Sequence, residues 1–373
     1  MIRYRVIVLA ACAAALAAPA LAQTTLKDAY QGMFRIGAAL SPRYFTEQDA
    51  AGAALVKAQF NQISPENDLK WESVHPQLDT YNFTAADKYV QFGEQNHMFI
   101  VGHCLVWHSQ VPRTVFQDDK GQPVTRDVLL KRMHDHIATV VGRYKGRVNG
   151  WDVVNEALNE DGTLRRSQWL QIIGDDFIQK AFEYAHEADP QAELYYNDYN
   201  LENDAKLKGA VTLVSKLKAA GVAITAVGSQ GHDNLEWPTV AQQDTALAAF
   251  KALGVKVSIS EFDIDVLPAA NRQPTADISA TAQGTANSNP YTAGLPDSVQ
   301  QALAKRYAEL FGVFLKYHDT MSRVTFWGVN DGGSWKNNFP VQGRTNYPLL
   351  FDRDNKPKPA FDAVIQAANA AKK

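Results

Sequence analysis

Short apolar, β-rich runs recur along the chain at Arg35–Ala39, Phe60–Ser64, Met98–Val106, Val148–Val154, Glu193–Tyr196, Ala226–Ser229, Val255–Ser260 and Arg323–Trp327. Their length and residue types predict strands. Between them the hydrophobic period changes. Leu129, Leu130, Met133, Ile137, Val140 and Val141 share one helical face. Leu207, Val211, Val214 and Leu217 share another, and Leu303, Tyr307, Leu310, Phe311, Phe314 and Leu315 a third. Eight strands alternating with helices predict an α/β fold, a single-domain (β/α)8 TIM barrel. A doubly wound open sheet shows the same alternation, but no Gly-rich phosphate loop follows the first strand. Neither Pro/Ser/Gly linkers nor an internal repeat divide the chain, so one catalytic-size domain is expected over residues 23–373.

Two segments fall outside this rhythm. Arg3 and Arg5 precede an uncharged apolar run, Val6–Ala18, and Ala20-Leu21-Ala22 follows as a small-x-small site. Residues 1–22 therefore read as a secretory signal peptide cleaved after Ala22, the run being too short to span a bilayer. A rival reading takes Leu9–Cys12 as a lipidation box. The leader predicts a secreted or periplasmic protein, and no other segment is apolar enough for a membrane span. The second segment, 268–296, is 29 residues rich in Ala, Thr, Asn, Gln and Pro, whose only charges are Arg272 and Asp277. Following the seventh strand, it would form a long loop on the C-terminal rim, where barrels build their sites. It is either a functional rim loop or a surface insertion.

Composition narrows the function. The chain has 373 residues, 46% of them hydrophobic and 21% charged, as in ordinary soluble enzymes. Its net charge of −3 becomes −5 without the leader, which carries two arginines and no acid. Nucleic acid is thus an unsuitable partner. Cys104 alone remains after the leader, which excludes an internal disulfide. Nothing suggests assembly beyond a monomer.

Reactive side chains gather where the strands end. Glu66, Asn67 and Lys70 follow the second strand, and His103, Trp107 and His108 the third. Asn155 and Glu156 end the fourth, Asn197–Asn200 the fifth, Gln230–His232 the sixth. Glu261 and Asp263 belong to the seventh, and Trp327, Asp331 and Trp335 to the eighth. A carboxylate is costly to bury unless it is paired or used. Two of them, Glu156 and Glu261, ending buried strands suit glycoside hydrolysis, in which one protonates the leaving oxygen and the other attacks or activates water. Asn155, Gln230, His103 and His232 offer hydrogen bonds for sugar hydroxyls, and Trp107, Trp327 and Trp335 offer apolar faces. His103 and His108 lack carboxylates at metal-ligand spacing, so neither a metal nor a cofactor is expected. His134 and His136, on the Leu129–Val141 helix, are expected to be solvated or capping.

The segment Trp151–Ala157 strongly resembles the acid/base strand of family 10 glycoside hydrolases, the endo-β-1,4-xylanases. The resemblance extends to Glu66–Trp71, Gly102–Pro112, Gly228–His232, Ile259–Asp263, Phe326–Trp335 and the tail segments Leu349–Asp352 and Lys358–Phe361. It implies that Glu156 is the general acid/base and Glu261 the nucleophile of a retaining double displacement, with carboxyls about 5–5.5 Å apart. Asn155 would bind the 2-hydroxyl of the sugar being cleaved. His232 would hold Glu261, with Asp263 behind it. Glu66, Asn67 and Lys70 would grip the next glycone sugar, while His103, Trp107, Gln230, Trp327 and Trp335 would line the cleavage subsite. Tyr199 and Asn200 would reach the leaving group. Xylan and xylooligosaccharides are the implied partners. A β-1,4-glucanase or a non-catalytic sugar-binding barrel are the alternatives. Departures from the family pattern are Phe262 where Leu is usual, Asp233 after His232, and the length of segment 268–296.

Overall fold

The computed structural model describes residues 24–269 and 276–372; the signal peptide read at 1–22 and part of segment 268–296 lie outside the described residues. Eight parallel strands form the sheet: Arg35–Leu40, Gln62–Pro65, Phe99–Val106, Gly150–Asn155, Glu193–Asp198, Ala226–Ser229, Lys256–Asp265 and Met321–Phe326. Pairing of Gly37 with Thr325 joins the first strand to the eighth, and pairing of Val227 with Val257 joins the sixth to the seventh. The sheet is therefore closed, which decides the architecture in favour of the (β/α)8 barrel. Strand positions are buried almost throughout, all six in Gly150–Asn155, because helices cover the outside and side chains fill the inside. Among the described residues no helix is long and apolar enough to cross a membrane.

A short strand absent from the hydrophobic pattern, His232–Asn234, pairs with the far end of the seventh barrel strand, His232 opposite Asp263. This extra register places an imidazole beside the end of that strand. On the outer side Phe262 is fully buried, its ring centroid 5.3 Å from Tyr307, 5.6 Å from Phe314 and 5.9 Å from Phe326. The Asp297–Lys316 helix supplies Tyr307 and Phe314. An aromatic shell thus accommodates the larger ring at that position.

One expectation fails in the Arg126–Arg143 helix. Thr125 caps its start, accepting from the Val128 amide. His136 is fully buried on its inner face, stacked 3.5 Å from the Trp71 ring centroid, with its Nδ1 3.1 Å from His75 Nδ1. Burial holds its imidazole well below the usual pKa, and the neighbouring His75 adds to this. His136 is a neutral packing group and not a solvated one; His134 is half-exposed near Asp135.

Candidate active site

Strict alternation along a strand would send neighbouring side chains to opposite faces. At the fourth and seventh strands this rule breaks where chemistry needs it. The register shifts between Ile259 and Phe262, and both Ser260 and Glu261 reach inward to Asn197. Glu156 leaves the fourth strand with φ +56°, a left-handed conformation that swings its side chain over the barrel mouth.

The two glutamates then meet different surroundings. Glu156 accepts from Trp107 Nε1 at 2.9 Å and from Gln230 Nε2 at 3.0 Å. Burial pushes its carboxyl up to about 7; the negative charges of Asp198 and Glu261 act in the same direction, while the Gln230 and Trp107 donors oppose it. Glu261 accepts from Asn197 Nδ2 at 2.8 Å and lies 3.3 Å from His232 Nε2. Burial alone would raise its pKa, but the His232 hydrogen bond, the positive charge at His103 and His232, and Asn197 more than offset this and hold it below the usual range. His232 is itself buried, which disfavours its charge. Asp263, 3.1 Å from its Nδ1, reverses that and lifts the imidazole to about 9. Trp335 Nε1 donates to the other Asp263 oxygen at 2.6 Å, so the support of the nucleophile extends three residues deep.

Between the carboxyls runs an amide chain. Asn197 Nδ2 also donates to Asn155 Oδ1 at 2.9 Å, and Gln230 Nε2 lies 3.4 Å from the same oxygen. Because Asn197 must donate to Glu261, Asn155 turns its carbonyl oxygen to Asn197. Its own NH2 is left on the Glu156 side, 3.4 Å from Oε1.

The remaining residues named from sequence largely converge. Glu66, Asn67, Lys70, His103, Trp107 and Asn155 line one cavity of about 170 Å³ with Glu156 and Glu261, joined by Gln230, His232, Trp327 and Trp335. Lys70 Nζ donates at 2.8 Å to both Asn67 Oδ1 and Gln110 Oε1 and sits 5.0 Å from the Trp107 ring centroid. His103 Nδ1 lies 2.9 Å from Asp152 Oδ2. Asp263 stands behind His232. Tyr199 does not line the cavity: it is 3% exposed, its hydroxyl accepts from Arg165, and Lys206 Nζ lies 3.6 Å from its ring centroid. Asn200 donates to Glu160. Five contributors had no role assigned from the sequence: Gln110, Asn197, Arg165, Ala276 and Ile278, the last two lining the cavity from the rim segment. Asn197 stood in a noted strand end and Gln110 in the noted Gly102–Pro112 segment; the others act through contacts between distant loops.

Two buried carboxyls at the mouth of a closed barrel, one with its pKa raised and one with it lowered, bridged by amides and faced by indoles, are what glycoside hydrolysis requires, and the protein is an enzyme of that class. The sequence places it further. The profile of glycosyl hydrolase family 10 matches residues 25–367, and the chain belongs to that family. It is 44% identical over 351 residues to endo-1,4-beta-xylanase A of Xylanibacter ruminicola, covering 94% of this chain and 95% of that one. Identity to the endo-1,4-beta-xylanase of Geobacillus stearothermophilus is 41% over 343 residues, covering 91% and 98%. Among solved structures, a GH10 endoxylanase from sugarcane soil metagenome superposes with a TM-score of 0.89 at 47% identity, covering 91% of this chain and 99% of that one.

Proposed function

We propose that the protein hydrolyses internal β-1,4 bonds of xylan with retention of anomeric configuration, Glu261 acting as nucleophile and Glu156 as acid/base. The opposed displacement of the two carboxyl pKa values carries this reading. At neutral pH Glu261 is an anion ready to attack the anomeric carbon, while a substantial share of Glu156 still holds the proton that the leaving oxygen needs. Attack turns Glu261 into a neutral ester. Its charge no longer raises the Glu156 pKa, so Glu156, having given up its proton, is a better base for the water that completes the cycle. Asn155 presents its NH2 beside Glu156, where it meets the 2-hydroxyl of the reacting sugar. Lys70, Asn67 and Glu66 hold the glycone sugar beyond, and Trp327 and Trp335 close over the ring. His103, its Nδ1 engaged by Asp152, keeps Nε2 for a substrate hydroxyl.

Incubation with xylan and with carboxymethyl cellulose tests the substrate, and faster release of sugars from cellulose would overturn it. Proton NMR of the first product tests the mechanism, with the β anomer expected. Residues 1–22 we read as a leader removed on export; N-terminal sequencing of secreted protein should begin at Gln23.

A further inference from the structure

The two ends of the cavity are unequally open. The acid identifies the leaving-group end, since Glu156 must reach the departing oxygen. There one guanidinium ties three loops together. Arg165 Nε donates to the carbonyl of Glu156 at 3.0 Å, Nη2 to the Tyr199 hydroxyl at 2.8 Å and Nη1 to Asp277 Oδ2 at 2.8 Å. Asp277 comes from the rim segment after the seventh strand and Arg165 from the loop after the fourth, so the ion pair crosses the mouth of the barrel. Both side chains are more than four-fifths buried. The neighbours of Asp277, Ala276 and Ile278, thereby become part of the cavity wall. Asn67, on the glycone side, stays exposed.

The space between these walls, about 170 Å³, falls below the roughly 300 Å³ at which ordinary small-molecule pockets begin. A chain continuing past the acid therefore runs against the wall that Ala276 and Ile278 supply. We propose that the Arg165–Asp277 ion pair is a specificity-determining bridge: it holds residues 276–278 across the leaving-group end and disfavours long leaving groups relative to compact ones. This rests on the reading of Glu156 as the acid. A polymer must displace the segment, and the cost of doing so falls on substrates with several sugars beyond the scissile bond. An aryl leaving group, being one flat ring, escapes most of it.

The test compares kcat/KM for xylohexaose with that for 4-nitrophenyl β-xylobioside in the wild type, in Asp277→Asn, which removes the charge of the bridge, and in Ile278→Ala, which thins the wall and keeps the bridge. The ratio of the two constants should rise about threefold or more in both variants. A purely structural role for the bridge would lower both constants together and leave the ratio in place. An unchanged or lower ratio in both variants overturns the bridge while the glycosidase reading stands. A wild type inactive on both substrates overturns the reading of the site and the bridge with it.

Discussion

The ends of the fourth and seventh strands carry the same residue type to the same cavity and give it opposite character. At the fourth, Glu156 is backed by Asp198 and receives only neutral donors, so its carboxyl rises to about 7. At the seventh, Glu261 faces a cationic imidazole that Asp263 maintains, and its carboxyl is held low. Both are buried. The difference lies in the partner each strand end recruits, a charge network in one case and uncharged amide and indole in the other. Division of labour is thus a property of the surrounding loops.

The contrast can be broken most strongly at Glu261. Glu261→Ala should lower kcat on xylooligosaccharides by more than the ~10²–10⁴-fold typical of losing an acid–base group. Added azide should restore turnover of an activated aryl xylobioside and give the α-glycosyl azide, identified by NMR. Glu156→Ala should cost about 10²–10⁴-fold on natural glycosides. With a dinitrophenyl leaving group, pre-steady-state release should stay fast, since that phenolate departs without a proton. The pH profile sharpens the comparison. Activity requires Glu156 protonated and Glu261 ionised, so it should fall as pH rises through about 7 and stay high well into the acid range. His232→Phe removes the cation beside Glu261, and the acid limb should move up by about 1–3 pH units. The smallest change is expected from Gln230→Leu. One donor to the ionised Glu156 is lost, worth about 1.5 kcal/mol, so the alkaline limb should rise by about one unit.

Much of this was legible along the chain because it is local. Seven of the eight runs that became strands lie within two residues of their observed limits, since burial of a strand between helices and barrel interior leaves its mark in consecutive residues; the seventh, read as ending at Ser260, continues to Asp265. Placing Glu156, Glu261, Gln230 and the indoles at one mouth needed only the rule that parallel strands end together. Asn197 could have been found from the same rule, as its strand end was noted. What escaped depends on partners far apart in sequence. Tyr199 looked like a leaving-group contact because nothing near it shows that Arg165 and Asp277, 112 residues apart, would close above it. His136 looked exposed because histidine on a helix usually is; only the arrival of Trp71 and His75 from the short helix Trp71–Val74 and its C-terminal end makes it core.

The backbone that aims Glu156 and the burial that keeps it protonated also act on the folded state as a whole. Its carboxyl, near 4.5 in an unfolded chain, titrates at about 7 in the fold. What it contributes to stability is complete below about 4.5 and disappears as pH rises through about 7, because the native state then gives up a proton it held more tightly than the unfolded one. Glu156→Gln has no such proton to lose. Its melting temperature, relative to wild type, should therefore climb between about pH 5 and 8 and be flat below. Thermal tolerance at alkaline pH is limited in part by the residue that makes the protein an enzyme.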